Sequence, residues 1–532
     1  MFRRKSVEEL STDDSEGPKL KKALTSWDVF THGVAAIIGT GIFVLTGVAA
    51  AEHAGPGIIL SFVAAGIVCA FVSFAYSELS SMIPRAGSAY TYAWSMGELV
   101  AWFIGWDLLL EYCVGASAVA VGWSAYMQHI LKGFGIVLPS YLAAAPADMP
   151  WQDIGIAIGA LVFGGIGVGK VYTAIRNSGL TLLKAIFGLA GIAAIAFAGK
   201  HALVAIGHIT SIDLLAVCII AFINIWLVKG VSHTAKMTAV FVVIKLAVIA
   251  LFIAVGMWHV NPANWHPFLP FGWHGVFAGA GVVFFAYIGF DAVSTLAEEC
   301  KNPARDMPRG TMWSLGVCAI LYVAVAAVMT GCLVYSQLGG DEAAAPMAKV
   351  MDAIGNSWAA PLVSLGAIAG ITSVLIVLLF GQSRIMMSMA RDGLIFKPFA
   401  KIHTTYKTPV FSIVTLGILA AATAGLLPIN ELAQLTSIGT LAAFVLCCLG
   451  VIVLRRTEPN RPRAFKCPGY PWVPALGAIF CLVLMFSLPM ISWVRFLGWM
   501  VIGLAIWATY GRYNSTLTKR AVGGTPLPPP VK

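Results

Sequence analysis

The sequence predicts an all-α polytopic membrane protein. Hydrophobic residues make up 59% of its 532 residues, charged residues make up 11%, and the mean hydropathy is +0.85. A soluble globular chain carries about 25% charged residues. The apolar residues are also grouped into segments of about 20, the length of helix that crosses a bilayer core. The lipid bilayer is therefore the expected surrounding of most of this chain.

Twelve apolar segments are long enough to be predicted as membrane-spanning helices. They lie near residues 28–50, 59–81, 99–128, 213–228, 237–257, 274–297, 311–336, 359–382, 409–427, 432–454, 472–490 and 493–510. They form a predicted membrane domain of residues 27–510, between polar tails of residues 1–26 and 511–532. The first tail has no apolar core followed by a small-residue cleavage site, so it is interpreted as cytoplasmic and not as a signal peptide.

An insertion at residues 150–200 separates the third predicted span from the fourth. It contains two further apolar stretches, residues 154–169 and 179–199, and the first of these is short and rich in glycine. Two interpretations are open: an additional membrane hairpin, and an extracellular or re-entrant cap. Lys170 and Arg176 at the turn favour the hairpin, because basic residues are enriched in cytoplasmic turns.

The charge pattern predicts the orientation and excludes nucleic acid as a partner. The net charge is +10, but the basic residues form short clusters between apolar segments, without interleaved aromatic residues. With both termini in the cytoplasm, most of the 34 lysines and arginines fall on the cytoplasmic side, which agrees with the positive-inside rule. A plasma membrane, such as a bacterial inner membrane, is the expected location.

Cysteine and histidine positions give no sign of a metal site, a cofactor or an enzyme. The ten cysteines lie mostly inside predicted spans and lack the spacing of metal ligands. They are interpreted as small packing residues. None of the ten histidines forms a cluster with Asp or Glu near one face, as a catalytic site would need.

A glycine-rich hexapeptide, residues 38–43 with the sequence IGTGIF, interrupts the first apolar segment. Each glycine weakens a helix by about 1 kcal/mol relative to Ala, and backbone groups freed in hydrocarbon need partners. A helix that restarts after the gap directs free N–H groups and its positive dipole end towards the gap. The N–H groups around Gly39, Thr40 and Gly41, with the Thr40 hydroxyl nearby, are therefore predicted to bind a carboxylate. A glycine pair for helix packing is the alternative.

A second apolar segment, residues 276–297, is interrupted in the same manner. Gly289 lies in its middle and the acidic Asp291 follows shortly after. Interrupted segments in corresponding positions of two halves of a chain are typical of transporters whose binding site lies at the bilayer midplane. The two gaps are therefore predicted to form one binding site.

Five motifs, in order along the chain, resemble the amino acid-polyamine-organocation superfamily, and most closely the cationic amino acid transporter family and its bacterial relatives. They are Gly39-Thr40-Gly41-Ile42-Phe43, the loop from Glu78 to Tyr90, GWDLLLEY at 105–112, FFAYIGFD at 284–291 and AEECKNP at 297–303. The resemblance covers about residues 20 to 510 except the insertion. It implies an inverted five-plus-five helix repeat, in which the first and sixth spans are broken around one amino acid.

The unwound backbone also predicts partners for the amino group of that substrate, because free carbonyls supply dipoles without a costly buried anion. They are the backbone carbonyls freed by the two gaps, of Ile37 in the first and of Phe284, Phe285 and Ile288 in the second, with Ala286 in the same stretch. The aromatic residue at the position of Phe285 closes over the substrate in the family. Phe285 is therefore predicted to act as a gate.

Lys245 lies in the middle of an apolar span, where a lysine costs about 2.5 to 3.5 kcal/mol. In proton-coupled relatives a lysine of span five faces carbonyls of span one and hydroxyls of span eight. Here these groups would be the carbonyls of Gly39 or its neighbours and the hydroxyls of Thr372 and Ser373. A lysine that snorkels to the membrane surface is the alternative. Lys184 would take the role if residues 179–199 were the fifth span.

Two buried acidic residues have open interpretations. Glu111 either faces the pocket and attracts a cationic group, or hydrogen-bonds a neighbouring helix. Asp291 is expected to couple gating to the second gap, as related exchangers place an acid here, or to cap the half-helix that follows.

The predicted function is import of L-amino acids by a secondary active transporter, coupled to a proton and working by alternating access. No P-loop is present, so ATP is not the expected energy source. The alternatives are an exchanger without proton coupling and a sensor without transport. A small single-span subunit is a further candidate partner. Ile371, bulky and on the predicted pocket wall, favours neutral substrates, whereas Glu111 favours cationic ones.

Overall fold

The computed structural model describes residues 24–83, 88–146, 211–229, 234–339, 345–406 and 408–518. Every regular element in these ranges is helical, and an isolated backbone bridge joins Leu24 to Cys300. The predicted insertion at 150–200, including Lys184, lies outside the described residues. So do most of both predicted tails.

The long α-helices follow the predicted spans, and short helices lie between them. They are α1 (Ser26–Ile37), α2 (Thr46–Ala49), α3 (Ile58–Met82), α4 (Ser88–Ala93), α5 (Glu98–Gly133), α6 (Ser140–Ala143), α7 (Leu214–Lys229), α8 (Thr234–Gly256), α9 (Gly272–Val283), α10 (Pro303–Cys332), α11 (Pro346–Ala353), α12 (Ala359–Arg391), α13 (Val410–Leu426), α14 (Ile429–Thr457), α15 (Trp472–Phe486), α16 (Met490–Ile506) and α17 (Arg512–Asn514). Each of the twelve predicted spans overlaps helix, and those near residues 28–50 and 274–297 are interrupted. The largest extension is at α12, which continues nine residues past the predicted end at residue 382.

Length and composition confirm a polytopic all-α membrane protein. Eight helical stretches among the described residues are long and apolar enough to cross a bilayer, and the apolar helices α7, α13 and α15 are shorter. Large apolar side chains face outward on several of them, such as Phe222, Ile320 and Ile418, each more than 60% exposed. Such a surface suits lipid and not water.

The helices pack into two groups around the broken segments. In the first group α10 packs against α1 and α3, and α9 packs against α3. In the second group α5 packs against α12 and α13, and α7 packs against α13. Small residues permit the close approach of α1 and α10, because a Cβ at Gly33 would meet Ser314 and a Cβ at Gly310 would meet Val29. The candidate site lies where the two groups meet.

A buried ion pair holds the end of α3. The Glu78 carboxylate is fully buried and accepts hydrogen bonds from Arg455 Nε at 2.9 Å and Nη2 at 2.6 Å. The Arg463 Nε lies 3.1 Å from it, and the Cys467 N–H donates to it at 2.7 Å. These contacts tie α3 to the end of α14 and to the loop that follows.

Candidate substrate and coupling site

The first apolar segment is broken at the predicted place. Helix α1 ends at Ile37, and Ile38 is extended, with φ −76° and ψ 98°. The chain becomes helical again at Thr40, and residues Gly41–Leu45 form a π-helical turn. The first N–H groups of a helix have no partner within it. The backbone around Gly39 to Gly41 therefore presents donors at the gap.

The second segment breaks at Gly289. Helix α9 ends at Val283 and is followed by the 3-10 turn Phe284–Tyr287. Ile288 is extended, and Gly289 has φ +114°, a conformation that favours glycine. The 3-10 helix Ala292–Glu299 follows. The break is thus a real change of direction and not a weak point in a continuous helix.

The two gaps cross each other in direct contact. A Cβ added at Gly41 would overlap the Cα and Cβ atoms of Ala286. A Cβ added at Gly289 would lie 2.7 Å from the Ala36 carbonyl oxygen. Each broken segment therefore places a glycine against the backbone of the other. Both glycines are needed for this close approach.

A cavity of about 20 Å³ lies at the crossing. Its lining residues come from both broken segments, α5 and α12: Ala36, Ile37, Gly39, Thr40, Gly41, Gly115, Val119, Phe285, Ile288, Val374 and Leu378. All of them are buried, and none carries a charged side chain. One water needs about 10–15 Å³ of such space, so this conformation is closed and too tight for an amino acid.

Six predicted site residues line the cavity, and four do not. Those in the lining are Ile37, Gly39, Thr40, Gly41, Phe285 and Ile288, and those outside it are Glu111, Phe284, Ala286 and Ile371. The Thr40 hydroxyl lies against α5, where it donates to the Val119 carbonyl at 3.3 Å. Phe284 packs its ring against Phe444 with ring centres 5.8 Å apart.

The predicted wall residue on α12, Ile371, lies about one helical turn before the first residue of α12 that lines this cavity. Ile371 is fully buried but does not reach the cavity, and the wall is formed by Val374 and Leu378. Residues four apart lie on the same helix face, so the spacing of these two residues defines the face that α12 presents. Gly115 and Val119 form the corresponding pair on α5.

Glu111 lies one turn before Gly115 and outside the cavity. Its carboxyl group lies near the Thr440 hydroxyl of α14 and near Asp291. Neither carboxyl oxygen has a hydrogen-bond partner in the described part of the chain. Direct contact with a substrate, the first interpretation of Glu111, has no support in this conformation.

Lys245 contacts the first gap, as the sequence predicts. Its Nζ donates to the Ala35 carbonyl at 2.7 Å, to the Ile38 carbonyl at 2.9 Å and to the Ser373 hydroxyl at 3.3 Å. Lys245 is fully buried. The three donors of an ammonium group are thus matched by three acceptors without charge. A snorkelling lysine is excluded in this conformation.

Thr372, the other predicted partner of Lys245, faces a different helix. Its hydroxyl accepts a hydrogen bond from Trp123 Nε1 at 3.0 Å and donates to the Ile368 carbonyl at 2.7 Å. Adjacent residues of a helix point about 100° apart, so only one of Thr372 and Ser373 faces Lys245. That residue is Ser373.

Asp291 connects the second gap to α5. Its Oδ1 accepts from the Gly289 N–H at 3.2 Å, and its Oδ2 accepts from the Tyr112 hydroxyl at 3.4 Å. Its backbone carbonyl accepts from the Ser294 N–H at 2.9 Å. The residue is buried at the start of the 3-10 helix. It therefore contacts both the backbone of the gap and a neighbouring helix.

The amino acid permease family profile matches residues 24–202 and 173–510 of the chain. The chain belongs to this family. This permease is 41% identical over 520 residues to "Branched-chain amino acid permease BcaP" of Bacillus subtilis (strain 168), with 98% of this chain and 99% of the relative covered. It is 39% identical over 521 residues to "Methylthioribose transporter" of the same organism, with 98% and 99% covered.

Plant relatives place the permease near the cationic amino acid transporters of the amino acid-polyamine-organocation superfamily. It is 32% identical over 468 residues to "Cationic amino acid transporter 4, vacuolar" of Arabidopsis thaliana, with 86% of this chain and 68% of the relative covered. The resemblance drawn from the five motifs is thereby confirmed. The permease transports amino acids across a membrane and is not an enzyme.

Tyr322 on α10 is the main contact of the permease site that sequence reasoning missed. Its hydroxyl lies 2.9 Å from the Ile37 carbonyl oxygen and 2.7 Å from the Ala286 carbonyl oxygen. The Ile37 carbonyl is a predicted partner of the substrate amino group, and Ala286 belongs to the same predicted binding stretch as Phe285 and Ile288. A polar residue in the apolar run of α10 was the available signal, because a buried hydroxyl in a membrane needs an acceptor.

Proposed function

We propose that the permease is a proton-coupled symporter that imports neutral L-amino acids across the plasma membrane by alternating access, with both termini in the cytoplasm. The observation that carries the coupling is Lys245, a buried cationic side chain held by neutral acceptors of the first gap. The orientation rests on the distribution of lysine and arginine among the predicted loops.

Substrate binding would use the backbone of both gaps. The N–H groups around Thr40 and Gly41 suit the carboxylate, because they lie at the positive end of a restarting helix. The carbonyls of Ile37, Phe284, Phe285, Ala286 and Ile288 suit the ammonium group, because unwound carbonyls supply dipoles without a buried anion.

The side chain of the substrate would meet an apolar wall. Val119, Phe285, Ile288, Val374 and Leu378 supply it, and no acidic side chain lines the cavity. A long cationic side chain would lose its water there without gaining a partner, which is costly. Neutral substrates are therefore preferred, in line with the relative that is named a branched-chain amino acid permease.

The proposed coupling of proton and substrate transport follows from the hydrogen bonds that the ammonium group of Lys245 donates. It joins the Ala35 and Ile38 carbonyls on either side of the end of α1 to Ser373 on α12. Charged hydrogen bonds are about twice as strong as neutral ones, so loss of the proton would loosen the first gap. One proton per amino acid is worth about 2.3 kcal/mol per 100 mV, or about 50-fold accumulation.

Phe285 and Asp291 would control access. Phe285 is buried in the cavity lining, where a movement of its ring would enlarge the site. Asp291 ties the Gly289 N–H to Tyr112, so a shift of the second gap is passed to α5. Phe285 and Asp291 are therefore the proposed gating residues.

Uptake into proteoliposomes tests the proposal. Labelled leucine, alanine, arginine and methylthioribose are offered with and without an inward proton gradient, to the native chain and to Lys245→Met, Ser373→Ala and Thr372→Ala. The exposed Lys229→Met is the matched control. We expect gradient-driven uptake of leucine and alanine, loss of the gradient effect in Lys245→Met, its weakening in Ser373→Ala, and no change of the gradient effect in Thr372→Ala or Lys229→Met.

The opposite results contradict separate parts of the proposal. Native uptake that ignores the gradient and occurs only against internal amino acid indicates an exchanger. Preferred uptake of arginine contradicts the neutral substrate class. Uptake of methylthioribose without uptake of amino acids would transfer to this chain the activity named for its second relative.

A further inference from the structure

Tyr322 joins the two gaps through a single polar atom. The residue is fully buried, and its hydroxyl contacts the Ile37 carbonyl of the first gap and the Ala286 carbonyl of the second. A tyrosine hydroxyl has one proton to donate, so the proton is shared between two backbone acceptors. An ammonium group at the same place would likewise donate hydrogen bonds to both carbonyls.

We propose that the Tyr322 hydroxyl substitutes for the substrate ammonium group in the empty permease, and that this substitution lets the empty carrier close and return. The inference rests on the proposed function only in taking the gap carbonyls as the ammonium site. A carbonyl freed from a helix and buried in a membrane is costly unless it accepts a hydrogen bond.

The closed structure shows why the substitute is needed. A cavity of about 20 Å³ holds no amino acid, so the gap carbonyls must be paired by the protein itself. Lys245 pairs those of Ala35 and Ile38, and Tyr322 pairs those of Ile37 and Ala286. Two side chains from different helices thus satisfy four carbonyls around the crossing.

Net uptake and exchange use different return steps. In net uptake the carrier returns empty, whereas in exchange it returns with a second substrate. Loss of the Tyr322 hydroxyl leaves Ile37 and Ala286 without this donor only in the empty state, because the ammonium group replaces it in the loaded state. Net uptake is therefore the sensitive process and exchange is the insensitive one.

The hydroxyl can be removed without loss of ring packing. The Tyr322 ring lies 5.5 Å from the Phe62 ring and 5.1 Å from the Tyr287 ring, and phenylalanine keeps both contacts. Tyr287→Phe is the matched control. It removes a buried hydroxyl from the same ring cluster, but that hydroxyl donates to the Phe62 carbonyl of α3 at 2.8 Å and not to a gap.

The experiment compares two fluxes of labelled L-leucine, with L-alanine in parallel. One is uptake into proteoliposomes without internal amino acid, and the other is uptake against unlabelled internal amino acid. Both are measured without a proton gradient. We expect Tyr322→Phe to lower net uptake about tenfold, equivalent to about 1.4 kcal/mol, and to change exchange less than about twofold. Tyr287→Phe should leave the ratio of the two fluxes unchanged.

Thermal unfolding in detergent supplies a second measurement. We expect leucine to raise the melting temperature of Tyr322→Phe more than that of the native chain, because the ligand restores the missing contacts. Equal loss of both fluxes, unchanged net uptake, or a variant that leucine does not stabilise would overturn the proposal. A native chain that exchanges but shows no net uptake would also overturn it. A missing proton effect would contradict only the coupling.

Discussion

Alanine at Gly41 is predicted to slow transport and to leave the rest of the fold intact. A Cβ at Gly41 would overlap the Cα and Cβ atoms of Ala286 and would lie 3.0 Å from its nitrogen. Rotation of a side chain cannot relieve this contact, because backbone atoms form it. Overpacking of this kind costs about 1–3 kcal/mol. The strain falls on the crossing that forms the cavity, so we expect kcat/KM to decrease about 5- to 150-fold.

The assay is leucine exchange in proteoliposomes over a range of concentrations, with thermal unfolding of the same preparations. Two further glycine-to-alanine variants serve as controls, with progressively less steric overlap. Gly39→Ala meets the Val374 side chain at 3.0 Å, which can move, so its loss should be smaller. Gly316→Ala on α10 has no atom within 4 Å and should behave as the native chain does. The reasoning is refuted if Gly41→Ala retains native kcat/KM, or if the three variants lose activity equally.

Two further predictions concern stability and selectivity. Glu78→Gln removes the carboxylate that faces Arg455 and Arg463 in a buried pair, and should lower the free energy of unfolding by about 3–5 kcal/mol. Glu431→Gln, which removes a partly exposed pair with Arg495 at 3.1 Å, should cost about 1 kcal/mol or less, and equal shifts of thermal unfolding for the two variants would contradict this. Leu378→Ala enlarges the cavity and should raise kcat/KM for phenylalanine relative to alanine about tenfold. Leu375→Ala, at a residue that is also buried, removes the same volume outside the cavity lining and should leave that ratio unchanged. A change in both variants would argue against this wall.

The breaks were predictable because they conflict with their surroundings. Glycine and threonine at residues 39–41 interrupt an apolar helix, which is costly in a membrane unless the freed backbone groups bind a partner. The same argument applies to Gly289 followed by Asp291. The partners of Lys245 were predictable in kind for a related reason. A buried ammonium group needs several acceptors, and a gap in a nearby helix is the main source of free carbonyls in a membrane.

The cavity wall was harder to predict because membrane helices carry little amphipathic pattern. On α12 the exposed residues Leu362 and Leu365 are as apolar as Val374 and Leu378, which line the cavity. Hydrophobicity therefore does not indicate which side of α12 is internal. Ile371 lies about one helical turn before Val374, and Thr372 is the immediate neighbour of Ser373. Which of these residues faces the cavity or Lys245 depends on the rotation of α12 about its axis and on its position along that axis. Both are set by helix packing and are not visible in the sequence.

Tyr322 shows a different limit. A sequence reveals that a gap frees carbonyls, but it does not reveal which helix supplies their donors when no substrate is bound. The donors here come from α8 and α10, about 210 and 285 residues along the chain from their acceptors in the first gap. Such contacts leave no local pattern, since a lysine or tyrosine in an apolar run predicts only that an acceptor exists. The closed state of this permease is therefore specified by pairs of distant residues, and the flux comparison with Tyr322→Phe tests one such pair directly.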